Sequence, residues 1–164
     1  MENLSKFNLI KNRIYNFLCV ERFFKKLDIQ FPKNVKRWDL IQHIIDKYSF
    51  ENYLEIGCDD DYCFDKIKIK NKIGVDPHMG GNFKGTSDKF FNQNNKKFDL
   101  IFIDPPFKEE RVNFLIESLI NLKILKPDGV MIVHRNKKNN EILTDKFNIV
   151  ETRDYGTSKI IFGN

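Results

Sequence analysis

The sequence predicts an α/β fold: a mostly parallel sheet with a C-terminal antiparallel hairpin, preceded by N-terminal helices. Three observations carry this. Short apolar runs at 52–57, 72–76, 98–104 and 129–134 each end near Gly, Asp or His, as strands buried on both faces do. Between the last two runs, Val112, Leu115, Ile116, Leu119 and Leu122 recur at helical spacing over about 108–125, the alternation that joins parallel strands by crossover helices. The segment 147–163 reads as two strands around Tyr155-Gly156-Thr157, hence a hairpin.

The elements follow in order. Leu4, Phe7, Ile10, Ile14, Phe17 and Leu18, then Phe24 and Leu27, predict a helical region over 3–28 that Phe31-Pro32 breaks. A second helix covers 35–48, with Trp38, Ile41, Ile44, Ile45 and Tyr48 on one side and Trp38 read as packing. The four apolar strands come next, and Lys126-Pro127-Asp128-Gly129 reads as a turn that ends the 108–125 helix. The organisation is a helical segment at 1–50 and a sheet domain at 51–164, with no internal repeat and no low-complexity linker.

Composition narrows the classes. Hydrophobic residues make up 41% of the 164, with 16 Phe, which favours a folded core over disorder. No apolar run approaches the roughly 20 residues that a bilayer span needs, and no secretory signal is visible, so the cytoplasm is the expected location. Cys19, Cys58 and Cys63 lack the paired spacing of a zinc site, so buried thiols and no metal are expected. The net charge of +5 sits in residues 1–50, where 10 Lys/Arg face 5 Asp/Glu. That excess suits either a polyanion such as RNA or a solvated Lys-rich surface. No feature indicates an oligomer, and a monomer is the default expectation.

In open α/β sheets ligands bind beyond the carboxyl ends of the strands, where the strand order switches. Gly57, Asp76, Asp104 and His134 stand at four such ends. Gly57 and Asp76 are 19 residues apart, the spacing in which a glycine admits a nucleotide and an acid accepts from ribose hydroxyls. The loop "EIGCDDDYC" has one glycine followed by Asp59, Asp60 and Asp61, which would repel a pyrophosphate. A phosphate-free, cationic adenosine cofactor fits, and S-adenosylmethionine is such a molecule.

Here the chain resembles known families. "YLEIGCDDDYC", "KIGVDP", "GGNFKGTSDKFF" and "KFDLIFID" together are similar to the class I methyltransferases dependent on S-adenosylmethionine, particularly to a small bacterial group. The resemblance spans about 35–104 and implies a Rossmann-like class I methyltransferase fold. It implies that Glu55 and Gly57 border the methionine end, that Asp76 holds the ribose and that Ser87 and Asp88 lie near the adenine, with Cys58 and Pro77 also among the cofactor-binding residues. Asp61 stands where that group has a second glycine, which puts a side chain and a charge beside the methionine end.

From residue 98 onward, "DLIFIDPPF", "LKPDGVMIVHRNKK" and "ETRDYGTSKIIFG" are similar to the bacterial small-subunit rRNA guanine-N2 methyltransferases. This resemblance implies that Asp104, Pro105, Pro106 and Phe107 act on an exocyclic amine of a nucleobase, with rRNA as partner. The chemistry suits the motif. An aryl amine is a weak nucleophile, and the Asp104 carboxylate and Pro105 carbonyl can accept from its NH2. The prolines fix the corner so that little reorganisation is needed, and Phe107 can stack on the base. The alternative is a plain helix entry, with Asp104 capping and Phe107 in the core. The residues also leave open a small-molecule or protein acceptor, or a non-catalytic binding protein of the same fold. His134, Arg135, Lys137 and Lys138 read either as phosphate holders or as a solvated basic loop.

Overall fold

A computed structural model of the chain describes residues 35–139 and 142–164. The helical region predicted over 3–28, and Cys19 with it, lies outside the described residues.

Helix α1, Arg37–Tyr48, opens with the Lys36 backbone N–H donating to Asp39 and ends where Ser49 turns left-handed at φ 53°. Its buried side is Leu40, Ile41, Ile44 and Ile45. Trp38 is half-buried and packs edge-on against Tyr62, with ring centroids 4.9 Å apart. The helix belongs to the same compact unit as the sheet, and Gln42 ties it to the backbone of Lys68 in both directions, at 3.0 and 2.7 Å. Residues 37–48 therefore pack with the sheet domain.

The strands are β1 Asn52–Ile56, β2 Asn71–Asp76, β3 Phe83–Lys84, β4 Phe98–Ile103, β5 Leu125–Asn136, β6 Ile149–Tyr155 and β7 Ser158–Gly163. They form one sheet in the order β3-β2-β1-β4-β5-β7-β6. The first five are mutually parallel, and β7 runs antiparallel to both β5 and β6. The expected hairpin is present: β6 and β7 are joined through Gly156, at φ +58°.

Strand alternation explains why these runs are nearly all apolar. Leu54, Ile56, Ile101, Ile103, Met131 and Val133 form one core with Phe90, Val112, Ile116 and Leu119. The intervening Tyr53, Leu100, Phe102 and Ile132 are no more than 1% exposed, so the opposite face is covered as well.

Two boundaries differ from expectation. The helix after β4, α3, spans Val112–Asn121, shorter than 108–125. Its start waits for the loop after Asp104 to finish, and its end is fixed by Lys123, left-handed at φ 53°, with Ile124 N–H closing onto Leu119 O at 3.0 Å. Lys126–Gly129 is not a turn before the strand but part of β5. Phe98 pairs with Leu125 and Leu100 with Val130, so these four residues bulge out of the ladder, which accommodates Pro127 without a lost hydrogen bond. A short helix, α2 Ser87–Gln93, was not foreseen. Thr86 caps it, accepting from Lys89 N at 3.3 Å.

Candidate active site

A cavity of about 870 Å³ opens at the carboxyl ends of β1, β2, β4 and β5. The sheet order reverses direction between β1 and β4, so this is the switch point where a ligand is expected.

Gly57 leaves β1 at φ +88°, a conformation that disfavours any side chain. A Cβ there would overlap the carbonyl oxygen of Asp104. The loop after β1 and the corner after β4 thus touch, and only glycine permits it. Cys58 lines the cavity, its side chain 4% exposed, and burial pushes its thiol well above the usual range.

Asp76 is 8% exposed and accepts from the backbone N–H groups of Asp59 at 3.0 Å, His78 at 2.8 Å and Met79 at 3.0 Å. Burial alone would raise its pKa, but these donors outweigh it and hold the carboxyl below its ordinary value. Pro77, Ser87 and Asp88 line the same cavity, the last two from the first turn of α2.

Glu55 is the one predicted site residue outside the cavity lining. It shares a strand face with Tyr53, is 1% exposed, and accepts from the Tyr53 hydroxyl at 2.6 Å. Burial pushes its carboxyl up to about 7, against the lowering effect of the tyrosine bond. Asp61 does not crowd the cavity. It takes the left-handed conformation a glycine would, φ +63°, and its carboxylate turns away to accept from Gly81 N–H.

Asp104, Pro105, Pro106 and Phe107 line the cavity from β4. Phe107 is 38% exposed rather than packed in the core, and Asp104 caps no helix. Each carboxylate oxygen of Asp104 has a partner: Oδ2 accepts from Arg37 Nη1 at 2.6 Å, and Oδ1 lies 2.6 Å from His134 Nδ1. Arg37 comes from α1 and was not foreseen, because nothing in the chain near it signals a partner 67 residues away. His134 is turned inward to Asp104. His134 also lines the cavity, whereas Arg135 is 2% exposed and bonded to the backbone of residues 106–109, so it neither belongs to a solvated loop nor is placed to hold a phosphate. Lys137 is paired with Asp154 at 2.9 Å.

The donor set fits S-adenosylmethionine. Gly57 brings backbone close to the cavity floor, Asp76 presents a carboxylate there, and Asp59 and Asp88 add acidic character suited to a cation, while Asp104 and Glu109 are paired with Arg37 and Arg111. Among the described residues no group of His, Cys, Asp and Glu is arranged to hold a metal ion, and no helix is long and apolar enough to cross a membrane.

A sheet in this order, with the reversed β7 inserted before β6, a glycine after β1 and an acid after β2, defines the class I methyltransferase fold. The chain belongs to the family described as conserved hypothetical protein 95, whose model matches residues 72–164, more than half its length. It is 30% identical over 92 residues to an uncharacterized methylase, RP545, of Rickettsia prowazekii (strain Madrid E), covering 54% of this chain and 39% of that protein. It is 29% identical over 95 residues to ribosomal RNA small subunit methyltransferase D of Buchnera aphidicola subsp. Baizongia pistaciae (strain Bp), covering 58% of this chain and 46% of that one. The chain thus spans less than half the length of these curated relatives. Among solved structures, a putative methyltransferase, yhhF, from Escherichia coli shares the fold at a TM-score of 0.66 and 11% identity, covering 82% of this chain and 87% of that one.

Proposed function

We propose that this chain transfers a methyl group from S-adenosylmethionine to the exocyclic amine of a nucleobase, with guanine in ribosomal RNA as the acceptor. One observation carries the reading: the Asp104-Pro105-Pro106-Phe107 corner and the Gly57 loop touch within a single cavity that Asp76 also lines. The printed name of the Buchnera relative supports the choice of RNA.

In this reading the backbone at Gly57 and Cys58 holds the methionine end, Asp76 and Pro77 hold the ribose, and Ser87 and Asp88 flank the adenine. Glu55 supports the β1 end from behind the cavity. The bound cofactor supplies a methyl group made electrophilic by its sulfonium centre. Asp104 and the Pro105 carbonyl accept from the acceptor NH2, which turns the nitrogen lone pair out of the ring plane and toward the methyl. The two prolines keep these acceptors in place before the substrate arrives, so in-line geometry needs little reorganisation. Phe107 stacks on the base, a contact of roughly 1–3 kcal/mol in single-strand binders. A base within a helix must first be unstacked. The amine sheds one proton after transfer, and the Asp104 carboxylate is the acceptor beside it. Ribosomal RNA is a cytoplasmic partner.

Incubation with labelled S-adenosylmethionine and unmodified small-subunit rRNA, followed by nucleoside analysis, tests this. Label in N2-methylguanosine is expected. Label in another nucleoside would change the acceptor, and label only in protein or small molecules would reject RNA.

A further inference from the structure

Two consecutive residues at the end of β5 hold the acceptor corner, and the chemistry above gives them no role. His134 Nδ1 lies 2.6 Å from Asp104 Oδ1, with side-chain exposures of 11% and 13%. A carboxylate only accepts, so the facing imidazole nitrogen carries the proton. The same ring meets Phe107 edge-on, with centroids 5.3 Å apart and planes at 76°. One imidazole therefore contacts both ends of the Asp104–Phe107 run.

Arg135 reaches the corner differently. Its guanidinium donates to the carbonyls of Pro106 at 3.2 Å, Phe107 at 3.5 Å and Glu109 at 2.9 Å. These carbonyls precede α3, and a buried arginine with five donors gathers them at once. Side chains alternate along a strand, so His134 and Arg135 grip the corner from opposite faces of the sheet. Burying a cation is costly unless its donors are satisfied. A loop that needed only to connect β4 to α3 would not require one.

The geometry points to His134 and Arg135 as positioning residues for methyl transfer. His134 sets the rotation of the Asp104 carboxylate and braces Phe107, while Arg135 fixes the backbone that carries Pro106 and Phe107. This inference rests on the corner being the acceptor site. His134 lines the cavity, but neither residue is bonded to Gly57, Asp76 or Ser87, so the pair acts chiefly on turnover rather than on cofactor affinity.

The test compares His134→Leu, which removes the N–H, with His134→Asn, which keeps a donor near the Nδ1 position. Turnover is measured with labelled cofactor and rRNA, affinity by calorimetry with S-adenosylhomocysteine, and folding by thermal melting. His134→Leu is expected to lower kcat by about 10–100-fold, with affinity and melting unchanged, and His134→Asn to restore most of it. Wild-type kcat in His134→Leu, or equal damage in both variants, overturns the inference. Arg135→Lys, which keeps the charge but not the fork, is expected to lower kcat in the same way. Nitrogen-15 spectra of the imidazole decide the pairing without reference to turnover. An Nδ1–H tautomer in the wild type that is lost in Asp104→Ala supports it, and an Nε2–H tautomer in both overturns it. If the wild-type protein binds S-adenosylhomocysteine yet methylates no RNA, the functional reading fails on its own account, and the spectra still decide the pairing.

Discussion

Arg37 Nη1 donates to Asp104 Oδ2 at 2.6 Å, so the first turn of α1 reaches the corner that follows β4. The arginine side chain is 37% exposed and the aspartate 13%. With the arginine end this open to water, screening holds the contribution of the pair to about 0–1 kcal/mol. Arg37→Ala should therefore leave the urea midpoint nearly unchanged. It should also slow methyl transfer by about 3–10-fold, because Asp104 loses one of its two anchors. A stability loss above about 3 kcal/mol would instead make the contact a structural one.

Gly57 is the position least able to change. At φ +88°, with the Asp104 carbonyl where a Cβ would go, Gly57→Ala should cost about 1–3 kcal/mol. It should also displace the loop after β1, removing detectable binding of S-adenosylhomocysteine in calorimetry while circular dichroism still reports a folded sheet. Unimpaired binding would mean that the loop can move without consequence.

Glu55 predicts a pH dependence of stability. Its folded-state value of about 7 lies above the ordinary one of 4.5, chiefly because it is buried. Between the two, the native state keeps a proton that the unfolded chain has lost, so the Glu55 contribution to stability falls as pH rises and levels off above about 7. Glu55→Gln keeps an acceptor for the Tyr53 hydroxyl and removes the titration. Its advantage over wild type should grow between pH 5 and pH 8 by on the order of 2–3 kcal/mol. Parallel stability curves for the two proteins would show that Glu55 does not titrate there.

Asp76 behaves in the opposite sense. Its carboxyl is held below 3.8 by backbone donors that outweigh burial. Its contribution is complete above the unfolded-state value and is lost as pH falls through the folded one. Because Asp76 stays ionised, cofactor binding should not change through its titration from pH 8 down to about 5. Asp76→Asn should weaken binding by about 10–100-fold, the loss expected for a charge-assisted hydrogen bond, as measured by calorimetry. Equal affinity in the variant would remove Asp76 from the cofactor site.

Strand ends were the readable part of this sequence. Gly57, Asp76 and Asp104 each punctuate an apolar run, and punctuation of that kind survives into the cavity because parallel strands expose only their termini. The hairpin was equally clear, since Gly156 supplies the positive φ that its turn needs. Less was visible where partners are distant. Arg37 looks like any cation opening a helix, and only the folded unit that α1 shares with the sheet brings it to Asp104. Arg135 was grouped with Lys137 and Lys138 because a charge cluster gives no sign that one member points inward. The bulge at Lys126–Gly129 has turn chemistry, and a turn inserted into a strand cannot be told from a turn before it by composition alone. For Asp61, a side chain in a glycine position suggested a clash, but aspartate tolerates the left-handed region and here turns its carboxylate to Gly81.

Asp104→Ala tests the central claim most directly, with transfer from labelled S-adenosylmethionine to unmodified small-subunit rRNA measured beside calorimetric affinity for S-adenosylhomocysteine. The expected result is transfer reduced by at least about 100-fold with cofactor affinity retained. Transfer at the wild-type rate in this variant would contradict the account.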